Sequence, residues 1–444
     1  MYTENSIGPL SFVYKYAMAF ILILAFSNFY IGSYINSKTM NIFIVVAIYI
    51  LLFRKINKKL TIIAFFIIMF HALIVTVNWS LGSTVNWVAW FSEFTLLLGG
   101  LLILLCGYQI IRYIGFINAF NCFTLSLLLM LTIMMVKLIT SLFNGVIHET
   151  LNISPFVDMV YYFSQAASLV YLPLYFLLKK KLSRLYNNLS IITIMLFVFI
   201  IFSTGWRAIQ LGFLISLTLL LLHSFVKSKN IKNSFNAIMV STILATTIVF
   251  ISNSFTSDES YKSFGLSDTL TNINIGRDIS GGRLSLLGTS LNIYNDLDIM
   301  KKFFGIGGGQ YPSYFGKQSS TLVELSFFDI DISSEKKIKS ITSSSRLHSH
   351  NLLMHLLIDY GLVGLILYFF ALYKILKSIP KVGKRYYFNI IFFSIIVTSQ
   401  LTAIGYLTSP MLWIAIMFAI SSRYLVEHSM EPKNKYTRPN STNE

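Results

Sequence analysis

The chain has 444 residues, of which 55% are hydrophobic and 12% are charged, and its formal net charge at pH 7 is +17. This composition excludes an ordinary soluble globular protein, in which about a quarter of the residues are charged. Apolar runs long enough to cross a bilayer recur along nearly the whole chain, so we expect an all-α integral membrane protein. The two cysteines, Cys106 and Cys122, lie in apolar runs, and neither a disulfide framework nor a thiolate metal site is predicted.

Hydropathy predicts about twelve transmembrane helices, each of roughly 15–25 residues. They lie near 15–34, 39–53, 60–78, 86–107, 114–139, 156–178, 188–204, 206–226, 234–252, 350–373, 387–406 and 408–425. Clusters of lysine and arginine recur at alternate connections between these spans, whereas the connections near 35–38, 79–85 and 140–155 hold almost none. Because basic residues mark the cytoplasmic side, the pattern predicts that both termini are cytoplasmic.

One long connection, residues 253–347, then lies outside the cytoplasm between the ninth and tenth spans. It separates an N-terminal bundle (1–252) from the C-terminal transmembrane helices (348–425) and a basic cytoplasmic tail (426–444). The loop holds ten basic and ten acidic residues, so the positive excess lies in the spans, the cytoplasmic loops and the tail. There it meets anionic membrane lipids, and no nucleic-acid partner is predicted.

Two segments of the long loop predict local structure. Leu284–Tyr294 is typical of a short amphipathic helix, and 304–310 has the glycine-rich sequence Phe-Gly-Ile-Gly-Gly-Gly-Gln. No Lys-Ser or Lys-Thr pair follows the glycines and no βαβ unit surrounds them, which argues against a nucleotide phosphate loop and a dinucleotide site. Tight turns are the prediction for these glycines.

Three ionisable residues, Arg207, Arg283 and His350, fall on one predicted face of the membrane. Alone, each has a simpler interpretation, as a snorkelling arginine, a solvated loop residue or an interfacial histidine. Together they indicate a site for an anionic substrate. Ser349 is the predicted cap of a helix that begins there, whose free N–H groups would complete a phosphate cradle that needs no metal. A neutral His350 imidazole could take a proton from a hydroxyl.

Several of these segments carry a family resemblance. They are Arg207 with Leu211, Gly282-Arg283, Phe304–Gly307, His350-Asn351 with Leu353, and Asp359–Gly364. Over about 200–370 the chain resembles the O-antigen polymerase and O-antigen ligase superfamily of bacterial membrane glycosyltransferases. It departs from the family pattern at Trp206, where a small polar residue is common, and at Asp359, where glutamate is usual.

The resemblance implies a GT-C-like fold and an inverting, metal-independent glycosyl transfer at the outer face of the bacterial inner membrane, with no cofactor. The donor would be an oligosaccharide on undecaprenyl diphosphate. Arg207 and Arg283 would hold the departing diphosphate, and His350 would orient or deprotonate the acceptor hydroxyl. Secondary site candidates are His348, Asn351, Arg277 and Lys137.

Three functions remain open within this interpretation. A polymerase would extend another lipid-linked glycan, as the Gly-Ile-Gly-Gly-Gly and His-x-His-Asn segments favour, and a ligase would transfer the glycan to lipid A-core in lipopolysaccharide biosynthesis. A lipid-linked oligosaccharide flippase also suits about twelve spans, but transporters place their sites near the bilayer midplane and often show repeat symmetry. This chain concentrates its polar residues in one loop. A flippase and a chain-length regulator are expected partners of the enzyme.

Other charged residues have weaker signals. Glu93, Lys137 and Asp158 lie in or at the ends of spans, where ionisable residues are functional by default, although an ion pair between Lys137 and Asp158 is an equal alternative. The Asp-x-Asp triplets at 296–298 and 329–331 resemble metal-binding pairs of soluble transferases. We predict that they are solvated loop acids.

Overall fold

The computed structural model describes residues 9–27, 57–143, 166–203, 207–228, 283–315, 351–379, 384–400 and 406–427, and all regular secondary structure in these ranges is helical. The helices are α1 Pro9–Ser27, α2 Lys58–Ser80, α3 Trp87–Ile114, α4 Phe116–Phe143, α5 Ser168–Leu178, α6 Arg184–Ser203, α7 Arg207–Ser228, α8 Arg283–Asp296, α9 Ile299–Phe304, α10 Tyr311–Phe315, α11 Leu352–Ser378, α12 Arg385–Ser399, α13 Pro410–Ser421 and α14 Tyr424–Glu427. Five helices, namely α2, α3, α4, α6 and α11, are long and apolar enough to cross a membrane. The prediction of an all-α, multi-pass membrane protein is confirmed.

The described helices overlap every predicted span except 39–53 and 234–252, which lie outside the described residues. The predicted loop helix is confirmed as α8. The total of twelve spans, the GT-C-like arrangement and the side on which the long loop lies stay predictions, as do the proposed domain boundaries.

Helix α3 forms the centre of the bundle, because most of its length is buried and α13 packs closely against it. The two helices meet at small residues of α3: Gly100 faces the indole of Trp413, and Gly107 faces the sulfur of Met417. A Cβ atom at either glycine would collide with its neighbour. Small residues at such contacts let membrane helices approach closely enough for extensive van der Waals packing.

Helix α11 is interrupted at Gly361, whose φ of 66° and ψ of −172° are not helical. The interruption leaves the carbonyls of Ile358 and Asp359 without their usual partners four residues ahead. They accept instead the N–H groups of Ile306, at 2.8 Å, and Gly307, at 2.9 Å. A break in a helix is tolerated in an apolar environment where other protein groups satisfy the released carbonyls.

The segment that supplies these donors is the glycine loop, residues 305–309. Gly305, Gly307 and Gly309 all have positive φ, which confirms the predicted tight turns. A Cβ atom at Gly305 would collide with the backbone of Asp359, and one at Gly361 would collide with the carbonyl of Phe303. The loop and the break in α11 therefore approach each other backbone to backbone, at a separation that only glycine permits.

The end of α2 and the connection between α2 and α3 hold the other side of the glycine loop through two side chains, Asn78 of α2 and Gln310 after the loop. Asn78 donates from Nδ2 to the carbonyl of Gly305 at 3.0 Å. Gln310 accepts from the backbone N–H of Asn86 at 2.8 Å and donates to the Asn86 carbonyl at 3.1 Å. The α2–α3 connection and the first half of α11 thus lie at one end of the bundle. Which membrane face this end occupies stays a prediction.

The start of α11 differs by two residues from the prediction. Asn351 is the N-cap, and its Oδ1 accepts from the backbone N–H of Met354 at 3.1 Å. The proposed cap at Ser349 is wrong, because an asparagine one residue before the first helical turn supplies the acceptor.

We expect Gly361→Ala to destabilise the protein, whereas Gly288→Ala in α8 should not. The Gly361 conformation costs a residue with a Cβ about 1–3 kcal/mol, and the collision with Phe303 adds to this. Gly288 has open space around it and a helical backbone, so alanine there should stabilise α8 by roughly 0.5–1 kcal/mol. Thermal unfolding of both variants in the same detergent compares them, and equal midpoints would contradict the proposed packing at Gly361.

Candidate functional site

A cluster of three buried ionisable side chains lies beneath the glycine loop. Glu93 comes from α3, and His355 and Asp359 come from α11. Their exposed fractions are 4%, 4% and 0%, and one ligand-type atom from each lies within 4.8 Å of the others. We call these residues the polar triad. A spacing of four residues places His355 and Asp359 on the same face of α11, opposite Glu93.

Aromatic residues enclose the triad. The Tyr406 hydroxyl donates to Oδ2 of Asp359 at 2.5 Å, and His355 Nε2 lies 3.6 Å from the same oxygen. The His355 ring packs against the rings of Tyr406 and Tyr311, with centroid distances of 4.2 and 5.6 Å. The Tyr406 hydroxyl therefore holds Oδ2 of Asp359 in a fixed direction and leaves Oδ1 unbound by that hydroxyl.

The glycine loop covers the Glu93 side of the triad. A Cβ atom at Gly308 would lie 3.1 Å from Oε1 of Glu93, and one at Gly309 would lie 3.1 Å from Oε2. The same Gly308 position contacts the ring of His71, which bonds through Nδ1 to the Tyr360 hydroxyl at 2.8 Å. Because the loop has no side chains at these positions, its backbone closes directly over the carboxylate.

Two carboxylate oxygens of the triad have no hydrogen-bond partner among the described residues: Oε1 of Glu93 and Oδ1 of Asp359. Buried polar atoms are nearly always paired, since an unpaired one loses its hydration without compensation. Two unpaired carboxylate oxygens in one enclosed cluster are therefore an arrangement suited to an additional partner.

The residues predicted from sequence as the substrate site fall at the edges of the described ranges. Arg207 is the first residue of α7, Arg283 is the first residue of α8, and Lys137 lies in α4, but the positions of these three side chains are not described. Asn351 is the cap of α11. His350, His348, Arg277 and Asp158 lie outside the described residues, so the assigned roles stay predictions.

Contacts with the end of α12 relate the starts of α7 and α11. Gly212, five residues into α7, packs against the Thr398 side chain near the end of α12. Two residues later, the carbonyl of Gln400 accepts from Nδ2 of Asn351 at 3.5 Å. The first turns of α7 and α11 therefore lie at the same end of the bundle.

Helix α8 runs along the first half of α11. The Ser290 hydroxyl is 2.9 Å from the Tyr311 hydroxyl, and the Tyr311 ring packs on His355. Further along the chain, Phe303 reaches Gly361. This order directs the start of α8, at Arg283, toward the N-terminal end of α11.

The other acidic signals behave as solvated loop residues. Asp296 and Asp298 are both exposed, and Asp298 caps α9 while pairing with Lys301 at 2.7 Å. The hydrogen bond from the Lys301 ammonium lowers the pKa of the Asp298 carboxyl. The prediction for this triplet is confirmed, and the triplet at 329–331 lies outside the described residues.

The polar triad is not predicted as a unit from the sequence. Glu93 stands out as an ionisable residue in a span and Asp359 as a departure from the family pattern, whereas His355 carries no such signal alone. The four-residue spacing of His355 and Asp359 was a detectable signal for one half of the cluster. Their pairing with Glu93 depends on how α3 packs against α11.

Comparison with known proteins gives one family match, in the second half of the chain. A family model described as O-antigen ligase matches residues 192–369. The curated proteins and the solved structures gave no match. The matched range contains Arg207, Arg283, the glycine loop and His350, together with two of the triad residues. The match over residues 192–369 supports the O-antigen polymerase and ligase superfamily, and it indicates a membrane glycosyltransferase-like enzyme that acts on lipid-linked glycans.

Proposed function

We propose that this protein is an O-antigen or polysaccharide polymerase that joins lipid-linked oligosaccharide repeat units at the outer face of the bacterial inner membrane. The donor is an oligosaccharide on undecaprenyl diphosphate, and the acceptor is another lipid-linked glycan. The observation that carries this proposal is the family match, because its range includes Arg207, Arg283 and His350 in one segment.

The positions of the two arginines support an anionic substrate. Arg207 and Arg283 each begin a helix, and the first turns of α7, α8 and α11 contain no acidic residue. A helix N-terminus carries partial positive charge, so an arginine there is unfavourable by about 0.3–1 kcal/mol unless an anion is bound. A diphosphate would compensate the guanidinium groups and the free N–H groups together.

The transfer reaction needs three functions from these residues. The acceptor hydroxyl oxygen attacks the anomeric carbon of the donor, and the bond from that carbon to the diphosphate oxygen breaks, which inverts the configuration. His350 takes the hydroxyl proton, and Arg207 and Arg283 stabilise the charge that develops on the departing diphosphate. This scheme neutralises the diphosphate with guanidinium groups and involves no metal ion in the transfer.

A ligase is the second candidate, and the description of the matching family favours it. The two activities share the donor and differ in the acceptor, which is lipid A-core for a ligase. A flippase remains as a third, less favoured function.

Purified protein in liposomes with the lipid-linked repeat unit distinguishes these three functions. Chain growth without core lipid supports the polymerase, and dependence on core lipid supports the ligase. Movement of the lipid-linked repeat unit across the bilayer without glycosyl transfer supports the flippase.

We expect His350→Ala to reduce glycosyl transfer by about 10²–10⁴-fold, because the acceptor hydroxyl loses its general base. The control is His223→Ala, since His223 stacks on Tyr386 at 4.0 Å near the opposite end of α7, about 24 Å along the helix from Arg207. Initial rates of chain extension measure the effect at equal amounts of membrane-inserted protein. Normal products from the His350 variant would refute its role as base.

We expect Arg283→Lys to lower kcat/KM by about 10–100-fold, because an ammonium group cannot form the paired hydrogen bonds of a guanidinium with a phosphate. Arg184→Lys, at the start of α6, is the matched control, since it keeps the same change of chemistry outside the proposed site. The measurement is the initial rate over a range of donor concentrations. Full activity of the Arg283 variant would leave that residue without a part in diphosphate binding.

A further inference from the structure

We propose that Glu93, His355 and Asp359 form a binding site for a divalent transition-metal ion, of the Zn²⁺ or Mn²⁺ class, that clamps α3 to α11. The proposal goes beyond the glycosyl transfer described above and does not depend on it. It rests on the geometry of the polar triad, on the charge that the triad buries, and on the two carboxylate oxygens that have no hydrogen-bond partner within the described part of the chain.

The geometry matches what such an ion requires. One ligand-type atom from each residue lies within 4.8 Å of the others. An ion bound at about 2.0–2.2 Å from each atom brings them to separations of roughly 3–4 Å, so side-chain movements of about an ångström complete the site. Two of the ligands come from successive turns of α11 and the third from α3, which gives three directions of approach.

Charge gives the second argument. The exposed Asp298 pairs with Lys301, whereas within the triad His355 is the group that lies at ion-pair distance from Asp359. Two carboxylates and one imidazole in a buried cluster leave excess negative charge if both carboxylates are ionised. Buried charge without compensation is strongly unfavourable, and a divalent cation provides compensation at the centre of the cluster.

The unpaired oxygens give the third argument. Oε1 of Glu93 and Oδ1 of Asp359 have no hydrogen-bond partner among the described residues, and both side chains are at least 96% buried. The Tyr406 hydroxyl binds the other oxygen of Asp359. A ligand carboxylate that is oriented by an outer hydrogen bond, with its second oxygen left for the ion, is the usual arrangement at protein metal sites.

The ligand types select the class of ion. One imidazole nitrogen and two carboxylate oxygens suit Zn²⁺ or Mn²⁺, whereas Ca²⁺ takes six to eight oxygen ligands and Mg²⁺ usually keeps several waters. The glycine loop and the rings of Tyr311 and Tyr406 enclose the triad, which favours a closed structural site. His355 and Asp359 lie four and eight residues after Asn351, about 6 and 12 Å along α11, and both are buried, so the ion is separate from the proposed diphosphate cradle.

The first test measures metal in wild-type protein purified in detergent without chelators. Elemental analysis should find about one Zn²⁺ or Mn²⁺ per chain. After stripping with a strong chelator, added Zn²⁺ or Mn²⁺ should raise the midpoint of thermal unfolding. Protein that contains no such metal and is not stabilised by either ion would overturn the proposal, and the carboxylates would then be neutralised by protons.

Variants locate the ion. Glu93→Gln and Asp359→Asn should each lose the bound metal and the metal-dependent stabilisation, whereas Asp298→Asn, which removes an exposed carboxylate, should keep both. Metal content that is unchanged in the two triad variants would place the ion elsewhere and refute the site. If these variants fail to fold, X-ray absorption of the wild-type protein decides: nitrogen and oxygen neighbours at about 2.0–2.2 Å without sulfur support the triad, and any other first shell contradicts it.

Discussion

The docking of the glycine loop on the break in α11 is the interaction on which the rest of the site depends. Gly361 interrupts the helix and leaves two carbonyls without their helical donors. The N–H groups of Ile306 and Gly307 donate to these carbonyls instead. Within an apolar bundle neither feature is stable alone, because released carbonyls and an extended loop both present polar groups that water cannot reach. Gly305 lies against the backbone of Asp359, and Gly361 lies against the backbone of Phe303. A side chain on either glycine would therefore push the two segments apart.

This docking brings together parts of the chain that are distant in sequence. The loop carries α8 with it, so that Ile293 and Leu297 pack with Ile358 in a second, smaller core beside the main one. The loop also joins the end of α2 to α11 through Asn78, and it joins the α2–α3 connection to α11 through Gln310. The polar triad is a consequence of the same packing, since Gly308 and Gly309 occupy the space directly above Glu93. Residues that evolution could vary independently along the chain are therefore coupled in space.

The sequence alone predicts the elements better than their pairing. Apolar length locates the spans, and the leucines of 284–294 predict α8, because both signals are local. The predicted cap, Ser349, lies two residues before the actual cap, Asn351, because several successive polar residues could each supply the acceptor. Glu93 lies 262 positions before His355, and no periodicity specifies which face of α3 turns toward α11. That choice is made by contacts such as Gly100 with Trp413, which become visible only when the helices are packed.

The separation of the buried polar triad from the proposed substrate groups at the helix starts has a physical rationale. In the proposed transfer from a diphosphate, positively charged groups must be exposed to the substrate, and Arg207 and Arg283 at the starts of two helices are the groups proposed for this role. Positively charged helix starts repel one another and gain no free energy from burial. The contacts that hold them in place must therefore come from deeper in the bundle. The buried polar triad, whose α11 residues lie about 6 and 12 Å along the helix from Asn351, is covered by the glycine loop and can provide that support without contacting the substrate. Positioning of reacting groups contributes strongly to catalysis. Movement of α11 at its break would displace the N-terminal end of the helix, where the proposed reacting groups lie.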